Sequence, residues 1–216
     1  EVRDAPKYGT FQYHPSLCPE HRGPSSINWP IAMGKTRTGL SIFWPDDGLD
    51  EGPMMLQKTC EIGPDETLGD VYFKKLFPMG VDAMIEGLEL VKAGVIIKHD
   101  QRLEDGSYES WFGKAAAEID WSKPVADIYN IIRAANPAPG AWTTIAGSEL
   151  KIYDSARIDG TGTAGEVVSV DEDGVTVQAE GGRILIKRVR PADGGKMAAS
   201  EWAAAAGINS GTKLGS

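Results

Sequence analysis

The sequence predicts two units of different class: an α/β unit, followed by a small open β-barrel. Three observations carry this. Apolar runs at Gly9–Tyr13, Thr38–Trp44 and Met54–Ile62 read as strands. A long stretch after them, from Thr67 to about Ala93, has apolar residues at helical spacing. Strands followed by a helix in this order belong to α/β sheets. Beyond Ala141 the pattern changes to five short strands separated by glycine and aspartate turns, as in a small barrel of the oligonucleotide/oligosaccharide-binding (OB) sort.

The elements follow in order. The first strand runs into the loop His14-Pro15-Ser16-Leu17-Cys18-Pro19, where two prolines break regular structure. Ser25 or Ser26 caps a short helix carrying Ile27, Trp29, Ile31 and Met33, which Gly34 ends. The second strand holds Leu40, Ile42, Phe43 and Trp44, and a polar, glycine-rich loop, Pro45 to Pro53, leads to the third. Thr67 caps the long helix, whose apolar positions are Leu68, Val71, Tyr72, Leu76, Met79, Met84, Leu88 and Val91. Pro78 is expected to kink or divide it. Asp100 to Gly113 reads as a polar linker, and a helix from Ser122 or Pro124 to about Ala135 stops at Pro137, Pro139 and Gly140. Strands are expected at Thr143–Ile145, Leu150–Ser155, Gly165–Val170, Val175–Ala179 and Ile184–Val189, then an alanine-rich helix from Ala198 to Ala206. The domain reading is therefore 1–100, a linker at 101–117, and 118–216. An α/β sheet that opens at the strand feeding the His14 loop lacks its earlier strands, so either a partial sheet or a smaller fold is expected.

Composition narrows the function classes. Hydrophobic residues at 41% and charged residues at 25% are those of an ordinary globular protein. No apolar run approaches the roughly 18 residues of a membrane helix, and Glu1-Val2-Arg3-Asp4 does not begin a secretory leader. The net charge of −9 argues against broad binding to phosphate backbones. Lys187, Arg188 and Arg190 read as solvated charges. Cys18 and Cys60 form no CxxC pair and have no histidine at zinc-site spacing, so neither a zinc site nor a disulfide framework is expected and a reducing cytoplasm fits. Cys18 reads as a small packed residue.

Two segments carry groups suited to chemistry. His14 follows directly on a strand, and open α/β sheets place their sites at the carboxyl ends of parallel strands. An imidazole there can move protons near neutral pH; the alternative is a hydrogen-bonded loop histidine. The second segment, Asp46-Asp47-Gly48-Leu49-Asp50-Glu51-Gly52, is an acidic loop after another apolar strand. A carboxylate from it beside His14 would hold the imidazole's tautomer and stabilise the imidazolium; the alternative is an acidic turn. The spacing is not that of an EF-hand.

Together these segments resemble a known family. Tyr13-His14-Pro15-Ser16-Leu17-Cys18-Pro19 with Arg22-Gly23-Pro24 is similar to the His-x-Ser-Leu-Leu-Pro…Arg-Gly signature of formyltransferases that use 10-formyltetrahydrofolate. Thr38-Gly39-Leu40-Ser41-Ile42, followed by Asp47-Gly48-Leu49-Asp50-Glu51-Gly52-Pro53, resembles their second signature, and His14 and Asp50 stand at the interval of the family's catalytic pair. Leu56-Gln57-Lys58, Pro64-Asp65-Glu66-Thr67, Ile119-Asp120-Trp121, Ile132-Arg133-Ala134 and Pro139-Gly140-Ala141-Trp142 extend the likeness over nearly the whole chain.

The resemblance implies a partial Rossmann-like formyltransferase domain, then an OB-like domain with a leading helix. It implies an enzyme of one-carbon metabolism, with 10-formyltetrahydrofolate as formyl donor and no metal. It assigns His14 to the developing oxyanion and to proton movement, and Asp50 to orienting His14 and a water. Gln12, where the family usually has Asn, becomes an auxiliary donor. Pro45, Asp46, Asp47 and Gly48 would grip the pterin ring. His21 and Arg22 flank the loop and have the duller reading of loop residues, with contact to the folate glutamate as the alternative. In the family, much of the donor pocket comes from the half of the domain that precedes this stretch.

Three acceptor readings follow. Ser41-Ile42-Phe43-Trp44-Pro45-Asp46-Asp47-Gly48, Leu76-Phe77-Pro78-Met79-Gly80 and the Gln12 substitution favour the hydrolase-like branch, represented by the N-terminal domain of 10-formyltetrahydrofolate dehydrogenase, with water or a carrier protein as acceptor. Gly195 to Ala199 resembles a segment of methionyl-tRNA formyltransferase, for which tRNA is the acceptor. The third reading is a non-catalytic folate- or partner-binding fragment.

Overall fold

The structure, a computed structural model, describes Arg3 to Gly215; Glu1, Val2 and Ser216 lie outside the described residues. The chain divides into two compact units, one running to Ile31 and resuming over Lys35–Trp111, the other comprising Ala32–Gly34 and the chain from Phe112 onward.

In the first unit β1 (Gln12–His14), β2 (Arg37–Phe43) and β3 (Met54–Glu61) form a sheet of order β1-β2-β3, with α1 (Asn28–Ala32) between β1 and β2. Both pairings are antiparallel, with His14 opposite Ser41. The parallel arrangement expected around His14 is therefore corrected for the described strands. Parallel neighbours need a crossover of a dozen or more residues, usually helical; the short loop after Phe43 can only return antiparallel. His14 is also the last residue of β1 rather than the first of a loop.

Thr67 caps the long helix as expected. Its hydroxyl accepts from the Asp70 backbone, and Asp70 reaches back to the Thr67 backbone, closing a capping box. The helix is divided, but by a change of pitch. α2 (Leu68–Val71) passes into a π-helical turn, Tyr72–Leu76, and then α3 (Phe77–Lys92). Pro78 sits in the first turn of α3, where its missing N–H costs least.

The face that α3 turns to the sheet is built of small residues: Gly80, Ala83 and Gly87 are buried. A Cβ at Gly80 would meet the Tyr13 ring at 2.6 Å, so the backbone approaches the sheet closely. Phe77, Val81, Ile85 and Leu88 form an exposed apolar stripe instead, which corrects Leu88 as an inward position. The core beneath is Leu40, Ile42, Trp44, Met55 and Ala83, with Phe11, Tyr13 and Met79 packed against it.

The second unit opens with α4 (Val125–Ala134), continues through β4 (Ala141–Ile145), β5 (Ser148–Ile158), β6 (Val167–Asp171), β7 (Gly174–Ala179), β8 (Gly182–Pro191) and β9 (Met197–Ala198), and ends with α5 (Ala199–Ala206). The order is β4-β5-β8-β7-β6, with β9 on β8, and every pairing is antiparallel. Among the described strands β4 and β6 end the path without pairing with each other, so the expected OB-like barrel is not confirmed. Register shifts at Asp154 bend β5. β7 is buried along its whole length. Gln178 on it is satisfied: its amide donates to the carbonyls of Ala179 and Gly182, each at 2.8 Å, and accepts from Arg183 at 3.0 Å. Trp121 is buried and donates to Thr143 Oγ1. No helix of the described residues is long and apolar enough to cross a membrane.

Candidate functional site

Side chains two apart on a strand share a face. Gln12 and His14, at the two ends of β1, therefore point the same way, and both meet Asp50. His14 Nδ1 stands 3.6 Å from Asp50 Oδ2, a charge contact too long for a direct hydrogen bond. Gln12 Nε2 donates to Asp50 Oδ1 at 3.3 Å. Asp50 Oδ2 also accepts the Gly23 backbone N–H at 2.9 Å. Both members of the pair are nearly closed to solvent, His14 at 7% and Asp50 at 8% exposure. The three expected catalytic residues are thus brought to one place.

The other ring nitrogen decides the tautomer. His14 Nε2 lies 3.2 Å from the carbonyl oxygen of His21. A carbonyl only accepts, so Nε2 carries a hydrogen and Nδ1 is left facing Asp50.

The loop bearing the signature residues is stitched to the sheet. Ser41 Oγ donates to the Ser16 carbonyl at 2.7 Å and accepts the Cys18 N–H at 3.0 Å. Gln57 Nε2 donates to the Cys18 carbonyl at 2.7 Å and to Ser41 Oγ at 2.9 Å. Burial pushes the Cys18 thiol above its usual pKa, which keeps it protonated and un-nucleophilic, as the packed reading expects.

Two non-glycine residues at the site adopt left-handed backbone, His21 at φ 55° and Asp50 at φ 59°. Gly23, at φ 108°, lies between them, where a Cβ would stand 2.4 Å from the Glu109 carbonyl oxygen. Such conformations persist only where surrounding contacts hold them. Here those contacts come from residues 101–109, within the stretch read from sequence as linker. Gln101 Nε2 donates to the carbonyls of Asp50, at 2.9 Å, and Gly52, at 2.7 Å. Ser107 Oγ accepts the His21 N–H at 3.0 Å, and Glu109 Oε2 is 3.1 Å from His21 Nδ1. The backbones of Arg22 and Tyr108 form a parallel bridge. Nothing in the sequence marks Gln101, Ser107 or Glu109, because they are polar residues in a polar stretch without period.

His21 and Arg22, for which contact with a folate glutamate is the lesser alternative, are engaged internally, His21 with Glu109 and Arg22 in an ion pair with Glu51. The expected pterin-binding loop is the outer part of the β2–β3 connection. Pro45 is half-buried and Asp46, Asp47 and Gly48 are exposed. Asp46 Oδ1 accepts the Gly48 N–H at 2.9 Å, and Asp47 pairs with Arg3 at 2.9 Å. Among the described residues no group of three or more His, Cys, Asp or Glu is arranged to hold a metal ion. The site is a buried imidazole–carboxylate pair with an amide donor, a set suited to acid–base work on a carbonyl.

Residues 1–87 match the formyl transferase family and residues 113–207 its C-terminal domain. The mitochondrial 10-formyltetrahydrofolate dehydrogenase of Mus musculus is 37% identical over 206 residues, which are 91% of this chain but 22% of that protein's length. The methionyl-tRNA formyltransferase of Geotalea daltonii is 34% identical over 212 residues, 98% of this chain and 68% of that enzyme. HypX from Aquifex aeolicus, solved in complex with tetrahydrofolic acid, superposes with a TM-score of 0.74 at 20% identity, covering 90% of this chain and 34% of HypX, a likeness of fold. With both family regions matched and two-thirds of an enzyme of this type covered, the chain belongs to the formyl transferase family.

Proposed function

We propose that the first unit carries the site at which 10-formyltetrahydrofolate loses its formyl group, with water as the favoured acceptor. The observation that carries this reading is the buried His14–Asp50 pair with Gln12 on the same carboxylate. A water held by Asp50 beside His14 Nδ1 adds through its oxygen to the formyl carbon, and its proton passes to Nδ1. Asp50 stabilises the imidazolium so formed. The formyl oxygen gains a negative charge in the tetrahedral intermediate. Its donors are the Nδ1–H of that imidazolium and the second N–H of the Gln12 amide. A charged donor meeting the developing anion makes a strong hydrogen bond, and that gain falls at the transition state. As the carbon–N10 bond breaks, the proton returns from His14 to N10, leaving tetrahydrofolate and formic acid, which loses its remaining proton to solvent as formate. The outer β2–β3 loop, Pro45 to Gly48, is assigned to the pterin ring.

The acceptor follows from two supports. The dehydrogenases are the more similar relatives in sequence, at 37% identity against 34%, although the chain spans 22% of their length. The net charge of −9 also disfavours a large tRNA. The second reading, methionyl-tRNA as acceptor, is supported by the match over 98% of this chain to a methionyl-tRNA formyltransferase. The test is to incubate the full-length protein with 10-formyltetrahydrofolate, with and without methionyl-tRNA. Formate release without tRNA is expected. Formylated methionyl-tRNA instead would establish the second reading, and no turnover under either condition would leave a folate- or partner-binding unit.

A further inference from the structure

We infer that the segment Gln101–Glu109 is a positioning clamp for the His14–Asp50 pair, with Gln101 holding the carboxylate side and Glu109 the imidazole side. The inference rests on the proposed formyl-removing function of this site and adds residues that act through the pair rather than on the substrate.

The geometry is specific. Asp50 stands beside His14 with its backbone left-handed, and its carbonyl accepts from Gln101. One Gln101 amide nitrogen bridges the carbonyls of Asp50 and Gly52, on either side of Glu51, which pins the turn. Gln101 Oε1 is buried without a hydrogen-bond partner among the described residues. An unpaired buried acceptor costs stability, so the side chain is poorly suited to a purely stabilising role. On the other side, the His21 carbonyl that selects the His14 tautomer belongs to the second left-handed residue. That residue is gripped at its N–H by Ser107 and at its ring by Glu109, both buried or half-buried. Of the three non-glycine residues with positive φ among those described, two flank the site, and both are held by this one segment. Loss of either grip frees one wall of the pair, and small misplacements of reacting groups have large effects on rate.

The test uses the full-length protein and two variants, Gln101→Met and Glu109→Ala, with exposed Lys92→Ala, outside the segment, as a control. Formate release from 10-formyltetrahydrofolate is expected to fall ~10- to 100-fold in kcat in the two clamp variants, with KM little changed. The control is expected to match wild type. A nitrogen-15 spectrum of labelled histidine reads the cause, with His14 assigned by difference against His14→Gln. Gln101→Met should shift the Nδ1 resonance of His14, and Glu109→Ala its Nε2 resonance. Unchanged His14 resonances in both variants would overturn the clamp whatever happens to turnover. If Gln101→Met does not fold, Gln101→Asn, whose amide is one methylene shorter, carries the same expectation. If wild type releases no formate, the proposed activity fails, and the histidine spectra alone then decide whether the clamp exists.

Discussion

The two units bury different things. The first encloses His14, His21 and Asp50 and holds two non-glycine residues in left-handed backbone, while a helix stripe of Phe77, Val81, Ile85 and Leu88 faces outward. The second puts most of its buried volume into strand faces: Leu150, Ile152, Val175, Val177, Ile184, Ile186 and Val189 are at most 1% exposed, its buried Gln178 is satisfied, and Arg133 is its one buried charged side chain among the described residues. Buried ionisable groups and strained backbone both cost stability, and they concentrate where a site needs groups held in one arrangement. A close-packed sheet has no such demand. The contrast separates residues that set activity from residues that set stability.

The sharpest way to break that contrast is Asp50→Asn. It keeps shape and removes charge, so turnover is expected to fall ~10²–10³-fold while the urea unfolding midpoint stays near wild type. Full activity in that variant would remove Asp50 from the chemistry; a large loss of stability would mean the site is also a structural anchor. The converse substitution is Ile184→Ala in β8, at 0% exposure. It should cost about 2–5 kcal/mol in unfolding free energy and leave kcat per folded molecule unchanged. A kcat loss at full folding would show that the second unit shares in catalysis.

The smallest effect sharpens the comparison at a surface feature of the first unit. Hydrogen bonds from Lys74, and then from the Thr67 side chain and backbone, hold Asp70 at a pKa of about 2, below its ordinary 3.8. A depressed carboxylate stabilises the fold fully above the unfolded value, and that stability is lost as pH falls from 3.8 through about 2. Because the side chain is 30% exposed, the effect is expected to stay within ~1 kcal/mol. Urea melts of Asp70→Asn and wild type at pH 7 and pH 2.5 check it. The stability gap between the two proteins should narrow at the lower pH, and a constant gap would show that the cap acts without its charge.

Much of this architecture could be read along the chain. β2, β3, α4 and α5 follow from apolar runs and breakers within a few residues, and Thr67 announces its capping box in the same local way. His14, Asp50 and Gln12 were legible for a different reason, a resemblance spread over many short segments. The inward face of α3 was not, because hydrophobicity points to the largest apolar side chains while close approach selected Gly80, Ala83 and Gly87. β9, two residues long, has too few positions to show a pattern.

By itself, then, the sequence determined where strands and helices form and which imidazole and carboxylate are candidates to meet, since propensity, capping and motif spacing act over short separations. The tertiary structure alone decided the antiparallel sheet, the tautomer of His14 and the role of residues 101–109. Those depend on contacts such as Gln101 to the Asp50 carbonyl, 51 positions apart, and a hydrogen bond between distant residues leaves no period in the chain that precedes it.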